Sequence, residues 1–200
     1  MFKVSNKDFN DILIIISKSL SGYTSFYNEF IPEINDTQSF TIFGDCEPLF
    51  NSDLITRHDR LFTPWLNQDY EPPTKNFANY QTKIIPVLNQ YIDLRNNIET
   101  NTLVPYPLNQ DSEGNRFVLK SLIDLAFRNK NSNEWLIFCN FNYSDFEILN
   151  HINKHLTQID KVAILMDDEF QLDEMNFGTK EIITDNDMFK AIQVKKLVGI

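Results

Sequence analysis

From Asn6 to Leu20 the apolar residues Phe9, Ile12, Leu13, Ile16 and Leu20 recur at the spacing of one helical face, which predicts a helix there. Ser5 is placed to cap it, with Asp8 in the box position, and Ser21-Gly22 to end it. Tyr23 to Ile31 is aromatic-rich and fits a short helix or an extended segment closed by Pro32. Ser39 to Phe43 then alternates polar and apolar β-formers, so a strand is expected, stopped by Gly44-Asp45. Between Cys46 and Pro73 no period dominates. Pro48, Pro64, Pro72, Pro73 and Trp65 there suggest a long connection anchored by aromatic side chains.

Thr74 to about Ile98 sets Phe77, Tyr80, Ile84, Leu88 and Ile92 near one helical face, with a double proline as start signal. Pro86 falls inside this pattern and clashes with the carbonyl of Thr82, which predicts a kink or two helices meeting nearby. Leu103 to Asn115 reads as a loop. Arg116 to Arg128 fits either a helix or a hairpin; its β-formers and the Asn-rich stretch after it favour the hairpin. Trp135 to Phe141 is the strongest strand signal, a near-continuous apolar run of the kind buried on both faces. Trp135, Ile137 and Cys139 should share one side, and Leu136 and Phe138 the other. Ser144 with Glu147 opens a helix that buries Phe146, Leu149, Ile152 and Leu156, and Lys161 to Met166 is a second buried strand. Glu181 to Thr184 reads as a short strand, and Asn186 to Lys196 as a closing helix with Met188, Phe189 and Ile192 inward.

These elements, with no repeat or flexible linker between them, predict one α+β domain over residues 1–200: a mixed β-sheet packed by helices, the N-terminal half mainly helical. A chain of 200 residues with 42% apolar side chains supplies a sizeable core. Such a chain buries roughly 70% of its unfolded surface without covalent staples.

Charge adds a second constraint. The formal net charge is −10, so bulk attraction to nucleic acid or anionic lipid is not expected, and a basic macromolecule is the complementary partner. Cys46 and Cys139 have no partner at zinc-site or redox spacings, which predicts two free thiols and a reducing compartment. The apolar run Ile12 to Ile16 is too short for a signal-peptide core, and no stretch approaches the ~20 apolar residues of a span. The expected location is therefore cytoplasmic.

Between Asp160 and Asp187 nine acids stand against two bases, so this segment carries seven of the ten net negative charges. Its readings are a solvated loop, a docking surface for a basic protein through Asp167, Asp168, Glu169, Asp173 and Glu174, or a metal site at Asp167 and Asp168 beyond a strand end. It is not a calcium loop, because Leu172 and Gly178 occupy the places of the required glycine and glutamate. His151 and His155 share a helical face at the spacing of two-histidine metal sites. Ile152 replaces the glutamate a zinc protease needs, and solvated or capping histidines are the ordinary reading. Arg57-His58-Asp59-Arg60 reads as a structural ion-pair cluster, since neighbours in a strand point to opposite faces.

No phosphate-binding glycine loop, nucleophile elbow or dinucleotide fingerprint occurs, and the chain holds only five glycines. The sequence thus points to an acidic binding or inhibitor protein, of the type of a bacterial immunity protein that neutralises a toxin by direct contact. No catalytic residue and no cofactor are assigned. The alternatives are a metal-dependent hydrolase using Asp167 and Asp168, aided by a histidine, or an accessory component of a larger assembly.

Overall fold

The computed structural model describes residues 12–17, 40–44, 58–60, 70–96, 101–104, 106, 112–132, 134–141, 146–156, 161–166 and 177–196. The strands are β1 (Ile12–Ile16), β2 (Phe40–Phe43), β3 (His58–Arg60), β4 (Asn101–Val104), β5 (Trp135–Phe141), β6 (Val162–Met166), β7 (Phe177–Asp185) and β8 (Lys190–Lys196). They form one eight-stranded sheet in the order β3-β4-β2-β5-β6-β1-β8-β7. The first six neighbours in that order all run parallel. Strand β8 lies antiparallel to β1, and β7 pairs antiparallel with β8 as a hairpin edge. The sheet is therefore mixed, and β1 and β8 bring the two ends of the described chain side by side.

Helices fill the crossovers that parallel strands require. A short α-turn, α1 (Phe77–Asn79), continues through a π-helical turn, Tyr80–Ile84, into α2 (Ile85–Asn96). Helix α3 (Glu113–Arg128) links β4 to β5, and α4 (Phe146–His155) links β5 to β6. Val87 and Tyr91 of α2, Leu122, Ile123 and Phe127 of α3, and Leu149 and Ile152 of α4 join one core cluster with Ile14, Phe43, Leu136, Phe138 and Ile164 of the sheet. The other sheet face, Leu13, Ile15, Ile42, Trp135, Ile137, Cys139 and Leu165, is buried as well. Strand β5 is thus covered on both sides, with the two sets of side chains divided as the alternation predicted.

The π turn answers the proline expectation. Pro86 has no N–H for the Thr82 carbonyl and its ring crowds that oxygen, so the helix widens just upstream, where the Ile85 N–H reaches the Tyr80 carbonyl.

Other expectations are corrected. A mainly helical N-terminal half is not observed among the described residues, since β1, β2 and β3 all precede the first helix. Ile12–Ile16 is a strand because all five residues are apolar and find cover on both faces, which a one-sided helix could not give them. Arg116 to Arg128 is helical, not a hairpin. Its buried residues Val118, Leu119, Leu122, Ile123, Ala126 and Phe127 form a two-residue-wide helical stripe, and Ser112 caps its start by accepting from the Asn115 N–H. Asn186 to Lys196 is not a helix. Asn186 Oδ1 accepts from the backbone N–H of Met188 (2.8 Å) and Phe189 (2.9 Å), turning the chain between β7 and β8 and leaving Met188 exposed.

Cys139 is disulfide-bonded, so the free-thiol expectation fails for it, and the argument for a reducing compartment falls with that expectation. The chain's one other cysteine, Cys46, lies outside the described residues. Among the described residues no helix is long and apolar enough to cross a membrane.

Candidate functional site

Helix α3 presents Arg116, Lys120 and Asp124 at i, i+4 and i+8, and α4 presents Glu147, His151 and His155 with the same spacing. Both helices run antiparallel to the strands they connect, and hence parallel to each other, so the two rows meet in step. Near their N-terminal ends Lys120 Nζ donates to Glu147 Oε1, and Arg116 Nε stands 3.3 Å from Glu147 Oε2. The hydrogen bond from Lys120 holds the Glu147 carboxyl below the usual range; burial opposes it, and the charges of Lys120, Arg116 and His151 add to the drop. A cleft of about 370 Å³ opens beside these groups, lined by Pro72, Pro73, Arg116, Phe117, Lys120 and Glu147.

One to two turns further along, the chemistry changes from ion pairing to imidazole and carboxylate. Asp124 Oδ1 lies 2.7 Å from His151 Nε2 and 2.8 Å from His155 Nε2. A carboxylate oxygen accepts, so each ring donates from Nε2–H in this arrangement. The two rings meet edge to face with centroids 5.4 Å apart. His155 also stacks on Phe127 at 4.8 Å and 11°, Phe127 stacks on Phe138, and Phe138 on Phe43. The histidine is therefore seated on an aromatic column that runs into the core. One potential ligand atom from each of Asp124, His151 and His155 lies within 4.8 Å of the others. All three side chains are partly exposed, His151 least at 18%.

A second polar cluster centres on the buried Glu134. Arg95 Nη2 donates to Glu134 Oε2 (2.6 Å), Thr41 Oγ1 to Glu134 Oε1 (2.8 Å), and the Asn131 N–H to Glu134 Oε2 (3.1 Å). Burial pushes the neighbouring Tyr91 hydroxyl far above the ordinary phenol range, opposed by the charge of Arg95. Glu134 immediately precedes β5, and ligands in open α/β sheets collect at the carboxyl ends of strands instead. This network ties α2 to β2 and β5, a structural task.

Of the residues singled out from sequence, Asp167, Asp168, Glu169, Asp173 and Glu174 lie outside the described residues. Those of the acidic segment that are described, Glu181 and Asp185 on β7 and Asp187 in the turn, are all exposed. His58, Asp59 and Arg60 form the opposite edge strand, β3, paired parallel to β4. His151 and His155 do share a face, but their carboxylate partner is Asp124. Asp124 itself escaped notice because its segment favoured a hairpin, in which the spacing to Lys120 and Arg116 carries no meaning. No family model, curated protein or solved structure matches this chain.

Proposed function

We propose that the protein is an acidic binding protein that docks a basic protein partner, an inhibitor of the kind that neutralises a toxin by direct association. The observation that carries this reading is the gathering of seven of the ten net negative charges between Asp160 and Asp187. Clustered carboxylates raise the encounter rate of a positive partner and then pair with its Lys and Arg. The described part of the segment supports it. Strand β7 is the sheet edge, paired to β8 alone among the described residues, and it exposes Glu181 and Asp185 together with Ile182 at 56%. An exposed edge strand offers backbone groups and one apolar anchor inside an acidic rim.

The test is a pull-down from the native cell with identification of stoichiometric partners, followed by association kinetics against salt. The variant Asp167→Asn, Asp168→Asn, Glu169→Gln, Asp173→Asn, Glu174→Gln should fold normally, associate more slowly with the captured partner, and show a flatter salt dependence. Such charges act through a field screened beyond about 8 Å at physiological ionic strength. An unchanged association rate removes the acidic segment from the interface and refutes the reading.

A further inference from the structure

We infer that Asp124, His151 and His155 form a binding site for a borderline divalent transition metal such as zinc, with three protein ligands and a fourth position left to water. The donor set is the first ground. Two imidazole nitrogens and one carboxylate oxygen suit zinc, cobalt or nickel, whereas magnesium and calcium call for oxygen ligands. Three protein ligands with a free position are also the pattern of metal sites that act on a ligand and not of closed structural ones.

Placement is the second ground. His151 and His155 stand one turn apart on α4, and Asp124 reaches across from α3, each helix fixed by its apolar stripe in the core. The aromatic stack of Phe127 on His155 sets one ring plane before any ion arrives. Among the described residues Asp124 pairs with His151 and His155 alone, and Lys120, one turn away, is tied to Glu147.

Distances supply the third. In a tetrahedral site with bonds of about 2.0–2.1 Å, neighbouring ligand atoms stand roughly 3.3 Å apart. The Oδ1 to Nε2 distances are 2.7 and 2.8 Å, so the cluster is closed by hydrogen bonds and must open by about half an ångström to take an ion. Asp124 is 39% exposed, which leaves its carboxylate room to rotate, and all three ligand atoms already lie within 4.8 Å of one another. Zinc then replaces the proton on each Nε2, and the ring proton resides on Nδ1. The partial exposure of all three side chains gives the ion a path in.

The experiment uses the full chain without reductant, so that cysteine thiolates do not compete. Zinc is titrated against a chromogenic chelator, and cobalt is followed by its visible ligand-field bands. One equivalent should bind, and His151→Gln, His155→Gln and Asp124→Asn should each weaken binding by more than about 100-fold, beyond the loss typical of an outer-shell contact. His58→Gln should leave it unchanged. Metal-free melting of each variant shows whether it folds. Should one fail, the imidazole ¹⁵N spectrum of the wild type decides alone: two rings acquire zinc-bound Nε2 and the third keeps its signals. Binding no tighter than that of the His151→Gln/His155→Gln double variant, or zinc-dependent shifts confined to His58, overturns the site.

Discussion

Removing the carboxylate of Glu134 should cost more than any surface change in this protein, and the magnitude follows from what it touches. Its side chain is 0% exposed and that of Arg95 8%, so the ion pair sits out of water. Glu134→Ala leaves the guanidinium with the Asn129 carbonyl at 3.0 Å as its remaining acceptor among the described residues and strips the Thr41 hydroxyl and the Asn131 N–H of theirs. Breaking a buried pair from one side costs about 3–5 kcal/mol, because an uncompensated charge stays behind. Folded domains hold about 5–15 kcal/mol in total, so roughly a fifth or more of the stability is at stake. For a chain of this length each kcal/mol moves Tm by roughly 2–4 °C, and the expected fall is about 6–20 °C.

The double variant Arg95→Met/Glu134→Leu should recover most of that loss. Desolvation of both charges nearly offsets their attraction, and an apolar pair of similar volume avoids both terms. Urea unfolding of the four proteins in a double-mutant cycle measures the coupling, expected at about 2 kcal/mol or more. A Glu134→Ala protein melting within about 2 °C of wild type, or a double variant showing the plain sum of the singles, refutes the reasoning.

Three further outcomes are expected. A Cβ on Gly114 would stand 1.5 Å from the Tyr70 carbonyl oxygen and 2.1 Å from its carbon, both main chain, so Gly114→Ala should cost at least the about 1–3 kcal/mol of ordinary overpacking, and an unaltered melting curve would exclude this approach of chain and helix. The Glu147 carboxyl is depressed in the folded state, chiefly by Lys120, so its contribution is present above the unfolded carboxylate pKa and vanishes as pH falls through the folded value. Melting curves of wild type and Glu147→Gln should therefore differ at neutral pH and converge in acid; a constant gap would contradict the assignment. Mass spectrometry after alkylation without reductant should leave Cys139 unlabelled, and labelling there before reduction would restore the free thiol.

The sheet centre was legible because continuous apolar runs, as in Trp135–Phe141 and Val162–Met166, have few other places to go. The helix after Pro72-Pro73 was legible because its start signal and period agree. Ile12–Ile16 misled for a physical reason: five apolar residues in a row satisfy a helical template and a doubly covered strand equally, and only the neighbours β6 and β8 decide. The same local ambiguity hid α3, where Phe117 and Val118 suggest a strand while the paired spacing from Val118 to Phe127 belongs to a helix. The cost of that ambiguity fell on the site. His151 and His155 could be paired on sequence spacing alone, but Asp124 meets them through the packing of two crossover helices, a contact separated by 27 and 31 residues that no local pattern encodes.

The metal site and the acidic edge should act independently, and the sheet order says why. Helix α4 crosses between β5 and β6, whereas the exposed acids Glu181 and Asp185 stand on β7, with β1 and β8 in between. Three strand spacings of about 4.8 Å separate β6 from β7 by roughly 14 Å. That exceeds the screening length of about 8 Å at physiological ionic strength, so the two charges of a bound zinc ion are largely hidden from a partner approaching β7. Mechanical coupling has little to work with, because the Asp124 contacts need to open by only about half an ångström to admit the ion. Association of the captured basic partner should therefore proceed at the same rate with and without one equivalent of zinc, at physiological salt. At much lower salt, where the screening length grows toward about 30 Å, zinc should slow the encounter with a positive partner. A zinc effect that persists unchanged at physiological salt would show that the partner contacts the α3 and α4 face itself, and would place the docking surface there in preference to the sheet edge.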